Sequence, residues 1–122
     1  PDQGRFELRL MDGAVNPYLL QAGVIAAGLH GINNKIDPGE PLSCNMYTDY
    51  KNYPNLKKLP NEIDEALEKL QNSREIKEAF GEDTINSYIK LKRTEIINFD
   101  KEETFNKKEP ITNWEKNSTL DC

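Results

Sequence analysis

Arg5-Phe6-Glu7-Leu8-Arg9-Leu10 alternates without a break between charged and apolar side chains. In an extended strand, successive side chains point to opposite faces. The stretch therefore predicts a strand with Phe6, Leu8 and Leu10 on one face and Arg5, Glu7 and Arg9 on the other. Neighbours on one face of a strand lie roughly 6.5–7 Å apart, a spacing that admits a small anion or a metal-bridged phosphate. Arginine stays charged and offers a planar fork of donors to carboxylate or phosphate. Glutamate is a hard oxygen donor suited to Mg2+ or Mn2+. The same pattern also describes an ordinary amphipathic strand whose charged row meets water, with Glu7 screened by its two arginines.

A strand must satisfy its backbone N–H and C=O groups by pairing. No second stretch of this chain reads as a convincing strand, so the partner is expected from sequence outside it or from another chain. The chain starts at Pro1, and the strand follows almost at once, which fits a fragment of a longer protein.

Downstream, Met11-Asp12-Gly13 reads as the turn out of the strand. Asn16 is a good N-cap and Pro17 suits the first helical position. The helix that follows is apolar nearly all round, through Leu19, Leu20, Val24, Ile25 and Leu29, which marks a helix covered on most sides. Gly28 and Gly31 are expected at its close-packed, terminating end. Residues 36–60 hold four prolines, at 38, 41, 54 and 60, and predict irregular loop carrying Tyr47, Tyr50 and Tyr53 with wet hydroxyls. Three helices are expected next. Asn61 caps 62–70, with Ile63, Ala66, Leu67 and Leu70 on one stripe. Ser73 caps a short helix with Ile76, Ala79 and Phe80 inward and Gly81 as its stop. Asp83 caps a long helix along Ile85, Tyr88, Ile89, Ile96 and Phe99, with the Lys92 stem lying over the core. Residues 101–109 read as a polar tail broken by Pro110, and Thr112 as the cap of a last turn holding Trp114, docked on some surface.

The chain has 122 residues, 36% hydrophobic and 30% charged, which implies one domain with a modest core. Its net charge of −5 and lack of a basic patch argue against nucleic acid as a partner. Cys44 and Cys122 form no disulfide framework, and a reducing cytoplasm is the expected location. The apolar run 18–29 is too short to span a membrane. His30, the single histidine, suits a helix C-terminus rather than a metal site.

The words R-F-E-L-R-L-M-D-G-A-V-N-P-Y-L and A-A-G-L-H-G-I-N-N-K-I-D-P-G-E-P resemble the C-terminal part of the glutamine synthetase catalytic domain. That family carries an R-x-E-x-R strand, an N-P-Y helix start, A-G-L-x-G-I-x-x-K and D-P-x-x-P, all present here in order over residues 5–41. From residue 48 the likeness is weaker, and the ending W-E-K-N-S-T-L-D-C is similar to one subgroup. The resemblance implies a mostly α chain: an N-terminal β-strand followed by about four to five helices, the C-terminal piece of an α+β catalytic domain. Residues 1–12 would be the active-site strand and turn, and 13–122 the helical part with its loop at about 36–60.

The resemblance also implies a reaction: ATP-dependent ligation of ammonia to glutamate through γ-glutamyl phosphate, with Mg2+ or Mn2+, in a homo-oligomeric ring whose sites lie between subunits. Glu7 matches a metal ligand, Arg5 the arginine that steadies phosphate of ATP, and Arg9 the one that binds glutamate. Tyr47 matches a loop tyrosine that carries regulatory nucleotidylation in some bacterial members. Pro1-Asp2-Gln3-Gly4 lacks the basic residue that many members place before the strand. The remaining metal ligands belong to earlier parts of the family sequence, so the chain alone is expected to be inactive. Two other readings remain: a γ-glutamyl-amine ligase of the same family, and a helical interaction module without chemistry. The intact R-x-E-x-R row argues against the second.

Overall fold

The computed structural model describes residues 4, 6–13, 15–102 and 111–119. Helix α1 (Pro17–Asn33) starts where the sequence places it. The Asn16 side chain accepts from the N–H groups of Tyr18 at 3.0 Å and Leu19 at 3.1 Å, and Pro17 sits in the first turn. The stop lies beyond both glycines. Asn34 closes the helix, the Lys35 N–H donates to the Ile32 carbonyl at 3.1 Å, and the Ile36 N–H donates to the Gly31 carbonyl at 2.9 Å. This is a Schellman closure. Its left-handed residue is Lys35, at φ 51°, where glycine is usual. His30 behaves as a capping residue: its carbonyl accepts from the Asn34 side chain at 2.9 Å.

Three further helices make the body. They are α3 (Ile63–Asn72), α4 (Arg74–Phe80) and α5 (Glu82–Glu102); α2 (Met46–Asp49) and a single 3-10 turn (Tyr50–Asn52) precede them, and α6 (Asn113–Thr119) follows. The Ser73 hydroxyl accepts from the Ile76 N–H at 3.3 Å, and Gly81 at φ 83° lets the chain turn sharply into α5. Helices α3 and α4 both pack on α5, and α1 packs on α4. Leu67, Ile85 and Ile89 are the buried core, ringed by Leu70, Ile76, Phe80 and Ile96. These residues follow the helical stripe expected for α3 and α5. The Lys92 ammonium lies 5.8 Å from the Tyr88 ring centroid and 2.7 Å from a Glu95 carboxylate oxygen.

The last helix carries a reciprocal capping box. The Glu115 carboxylate accepts from the Thr112 N–H at 2.7 Å, and the Thr112 hydroxyl accepts from the Glu115 N–H at 3.1 Å. Trp114 docks edge-on against Phe99 of α5, centroids 5.5 Å apart at 81°. Thr112 and Trp114 thus play the parts their sequence context suggests.

Several expectations are corrected. Among the described residues no strand is formed, and 6–10 are irregular. A ladder requires a partner, and none of the described residues supplies one. The 36–60 segment is not all loop: Asn45 caps α2, accepting from the Tyr47 N–H at 3.1 Å. Asn61 caps nothing, since α3 starts at Ile63 with Glu62 at its cap position and no side-chain bond there. Helix α5 starts at Glu82, one residue before the expected Asp83 cap, because the Gly81 turn hands the chain directly from α4 to α5. Residues 103–110, including most of the expected polar tail and Pro110, lie outside the described residues.

Candidate functional site

The charged row is carried by the segment just before α1. Arg5, one of its three members, lies outside the described residues. The other two are brought together: the Arg9 Nε–H donates to Glu7 Oε1, an ion pair between side chains 82% and 65% exposed. Pairs this exposed contribute about 0–1 kcal/mol, because water screens them and two long side chains must be held still. The contact is therefore easily exchanged for a ligand, with the Glu7 oxygens open to a cation and the Arg9 fork open to a carboxylate or phosphate.

Phe6 and Leu8 of the same segment border an open groove of about 830 Å³ whose lining is otherwise mostly α1. Asp12 follows within the turn. A divalent cation of the Mg2+ kind takes about six oxygen ligands, and Glu7 supplies one carboxylate. Among the described residues no group of three or more His, Cys, Asp or Glu side chains converges. Glu7 has the right donor chemistry, but these residues do not complete a metal centre.

Tyr47 stands 95% exposed on α2. The turn that carries it is braced from behind. The Asn45 N–H donates to the Asp49 carboxylate at 3.2 Å, and the Thr48 hydroxyl donates to the same carboxylate at 2.8 Å. The phenol itself is left free for solvent. Tyr53 differs from the expected wet tyrosine. It is half-buried, and its hydrogen bond to the Cys44 side chain raises the phenol above its ordinary pKa. The bracing of α2 escaped sequence reasoning, although Asn45 followed by Thr48 and Asp49 is a legible capping signal.

A family model described as glutamine synthetase, catalytic domain, matches residues 1–111. The chain is 43% identical over 121 residues to the glutamine synthetase of Rhizobium meliloti (strain 1021), covering 99% of this chain and 26% of that protein. It is 39% identical over 112 residues to a γ-glutamylethanolamide synthetase of Streptomyces coelicolor, covering 91% of this chain and 21% of that protein. It is also 35% identical over 122 residues to a glutamate–methylamine ligase of Methyloversatilis universalis, covering 97% and 25%. The chain thus spans about a quarter of the length of the curated relatives it matches. No solved structure matches it.

Proposed function

The chain belongs to the glutamine synthetase catalytic-domain family, and from that premise we propose that it supplies one wall of the active site of an ATP-dependent ligase that joins ammonia to L-glutamate. In this reading the γ-carboxylate of glutamate attacks the γ-phosphorus of ATP, and ADP leaves. Ammonia then attacks the γ-carbonyl carbon of γ-glutamyl phosphate and expels phosphate, giving glutamine. Phosphoryl transfer of this kind is accelerated chiefly by positioning and by charge stabilisation.

Arg9 binds a carboxylate of glutamate through its fork, Arg5 steadies the charge on the transferred phosphate, and Glu7 contributes one oxygen ligand to Mg2+ or Mn2+. The cation, when bound with ligands from outside this stretch, offsets phosphate charge. The observation that carries the reading is the Glu7–Arg9 pair: two opposite charges on one exposed segment, at the positions of the R-x-E-x-R word. The 122-residue chain by itself is inactive in this reading, because a single carboxylate does not hold the cation. The working enzyme is a cytoplasmic homo-oligomeric ring. Tyr47, free at its phenol on a braced turn, is a site of regulatory nucleotidylation. The two amine-ligase relatives favour one alternative, in which the acceptor is a small alkyl amine rather than ammonia.

The test is a chimera in which this chain replaces the matching quarter of the Rhizobium meliloti enzyme, assayed with ammonia, methylamine and ethanolamine. Ammonia is expected to be the best acceptor, and Glu7→Gln in the chimera is expected to abolish turnover without loss of folding, since the amide keeps the shape but not the charge. Normal turnover and normal metal dependence in Glu7→Gln would remove that residue from the metal shell. Preference for an alkyl amine would select the alternative.

A further inference from the structure

We infer that Asp49 is the positioning residue for Tyr47, because its two carboxylate oxygens hold the α2 turn closed; this rests on the reading of Tyr47 as a site of nucleotidylation. Oδ2 accepts from the Asn45 N–H at 3.2 Å, and Oδ1 accepts from the Thr48 hydroxyl at 2.8 Å. The same hydroxyl reaches the Asn45 carbonyl at 3.2 Å. That carbonyl also accepts from the N–H groups of Thr48 at 3.0 Å and Asp49 at 2.8 Å, and the Asn45 side-chain oxygen accepts from the Tyr47 N–H at 3.1 Å. The N–H, the carbonyl and the side-chain oxygen of Asn45 thus all bond within 47–49. Helix α2 has only four residues, far below the length at which a helix holds itself in water. The bonds to Asp49 therefore decide whether the turn persists.

Three tyrosines lie within 47–53, and the turn separates them. Asp49 is half-buried beneath it, while Tyr47 stands 95% exposed. Tyr50 is 53% exposed, with the Lys51 ammonium 5.9 Å from its ring centroid. The Tyr53 phenol is tied to the Cys44 side chain. Of the three, Tyr47 is the one presented to a large partner.

Nucleotidylation requires the Tyr47 oxygen to reach the α-phosphorus of a nucleoside triphosphate held by a modifying enzyme. An O–P bond forms, the bond from the α-phosphorus to pyrophosphate breaks, pyrophosphate leaves, and the phenol proton passes to a base of that enzyme or to water. A flexible segment loses backbone freedom when it docks for such a step, and a turn ordered beforehand has already lost it. Asp49 bonds to Asn45 and Thr48 and not to the phenol, so its effect falls on docking and not on the transfer. An asparagine at 49 has one acceptor oxygen and serves one of the two donors; an alanine serves neither.

The substrates in the test are the 122-residue chain and, in parallel, the chimera described above, each incubated with labelled ATP and a nucleotidyltransferase from a bacterium whose glutamine synthetase carries the modification. Tyr47→Phe is expected to abolish labelling and Tyr50→Phe to leave it. Asp49→Ala is expected to raise the KM for the protein substrate by roughly tenfold with kcat nearly unchanged, and Asp49→Asn to fall between Asp49→Ala and the unaltered chain. Thr48→Val removes one of the same bonds, so adding it to Asp49→Ala is expected to cost little more than Asp49→Ala alone. The backbone chemical shifts of 46–49 are expected to move from helical to coil values in Asp49→Ala, while the circular dichroism of the chain, carried by α1 and α3 to α5, stays. Label on Tyr47 at an unchanged KM in Asp49→Ala keeps the Tyr47 reading and overturns the inference. So does a loss confined to kcat, full additivity of the two substitutions, or helical shifts that persist without the carboxylate. Absence of label from both unaltered proteins overturns the Tyr47 reading and this inference with it, and leaves the ligase assignment standing.

Discussion

At Arg9 a point charge and a planar fork make different predictions. Lysine keeps the charge, and so its attraction to Glu7, but an ammonium cannot grip both oxygens of a carboxylate. Charged hydrogen bonds of this kind contribute about 1.5–3 kcal/mol. In the chimera, Arg9→Lys is therefore expected to raise the KM for glutamate by about ten- to a hundredfold while that for ATP barely moves. Steady-state kinetics with each substrate varied in turn checks this. A shift confined to ATP would exchange the roles of Arg5 and Arg9. Because the Glu7–Arg9 pair is exposed and worth little, its loss contributes almost nothing to either effect.

Among the elements, the ends of α1 and α6 carry the most definite local chemistry. Lys35 sits at φ 51°, in the left-handed region that costs an L-residue roughly 1–2 kcal/mol. Glycine removes that cost and adds about 0.5–1 kcal/mol of unfolded-chain entropy. Lys35→Gly is thus expected to stabilise the chain by up to about 1 kcal/mol, read as a higher denaturant midpoint at unchanged slope. The α6 cap responds to pH. The Thr112 N–H, helped by the Thr112 hydroxyl, donates to the Glu115 carboxylate and holds its pKa below the ordinary glutamate value. A carboxylate depressed on folding contributes stability that is fully present above its unfolded pKa and is lost as pH falls through the folded one. Undocking of α6 is therefore expected only at pH below the ordinary glutamate range. Trp114 fluorescence would report it, since the indole leaves Phe99. Glu115→Gln should flatten that acid transition.

For the whole molecule the deciding quantity is the size of the core. Only Leu67, Ile85 and Ile89 are buried among the described hydrophobic residues, so each carries a large share of the packing between α3 and α5. Truncating a buried leucine typically costs about 2–5 kcal/mol, against a net stability of roughly 5–15 kcal/mol for a domain. Leu67→Ala is expected to lower the thermal midpoint by about 10 °C or more, or to remove the cooperative transition altogether. Differential scanning calorimetry distinguishes these from a mild effect, which would mean that α1 and α4 share the load. No helix among the described residues is long and apolar enough to cross a membrane.

The helices were legible in the residues because their signals are local. Asn16-Pro17 starts α1, Ser73 and Gly81 bound α4, and Thr112 with Glu115 starts α6, each through bonds that close within four residues. The stripe through Leu67, Ile85 and Ile89 was legible for the same reason: a helix repeats every 3.6 residues whatever it packs on. The Glu7 and Arg9 positions were legible as a motif, and the family followed from it. What the sequence did not reveal lay in competition between near-equal local choices: the stop at Lys35 rather than at a glycine, the start of α5 at Glu82, and the turn of α2 within a proline-rich stretch. The strand at 6–10 is a different case. Alternation states which faces a strand would have, but a strand exists only through hydrogen bonds to a neighbour distant in sequence. Only tertiary structure decides that, and among the described residues it leaves the Glu7–Arg9 row on an unpaired segment beside an uncovered helix.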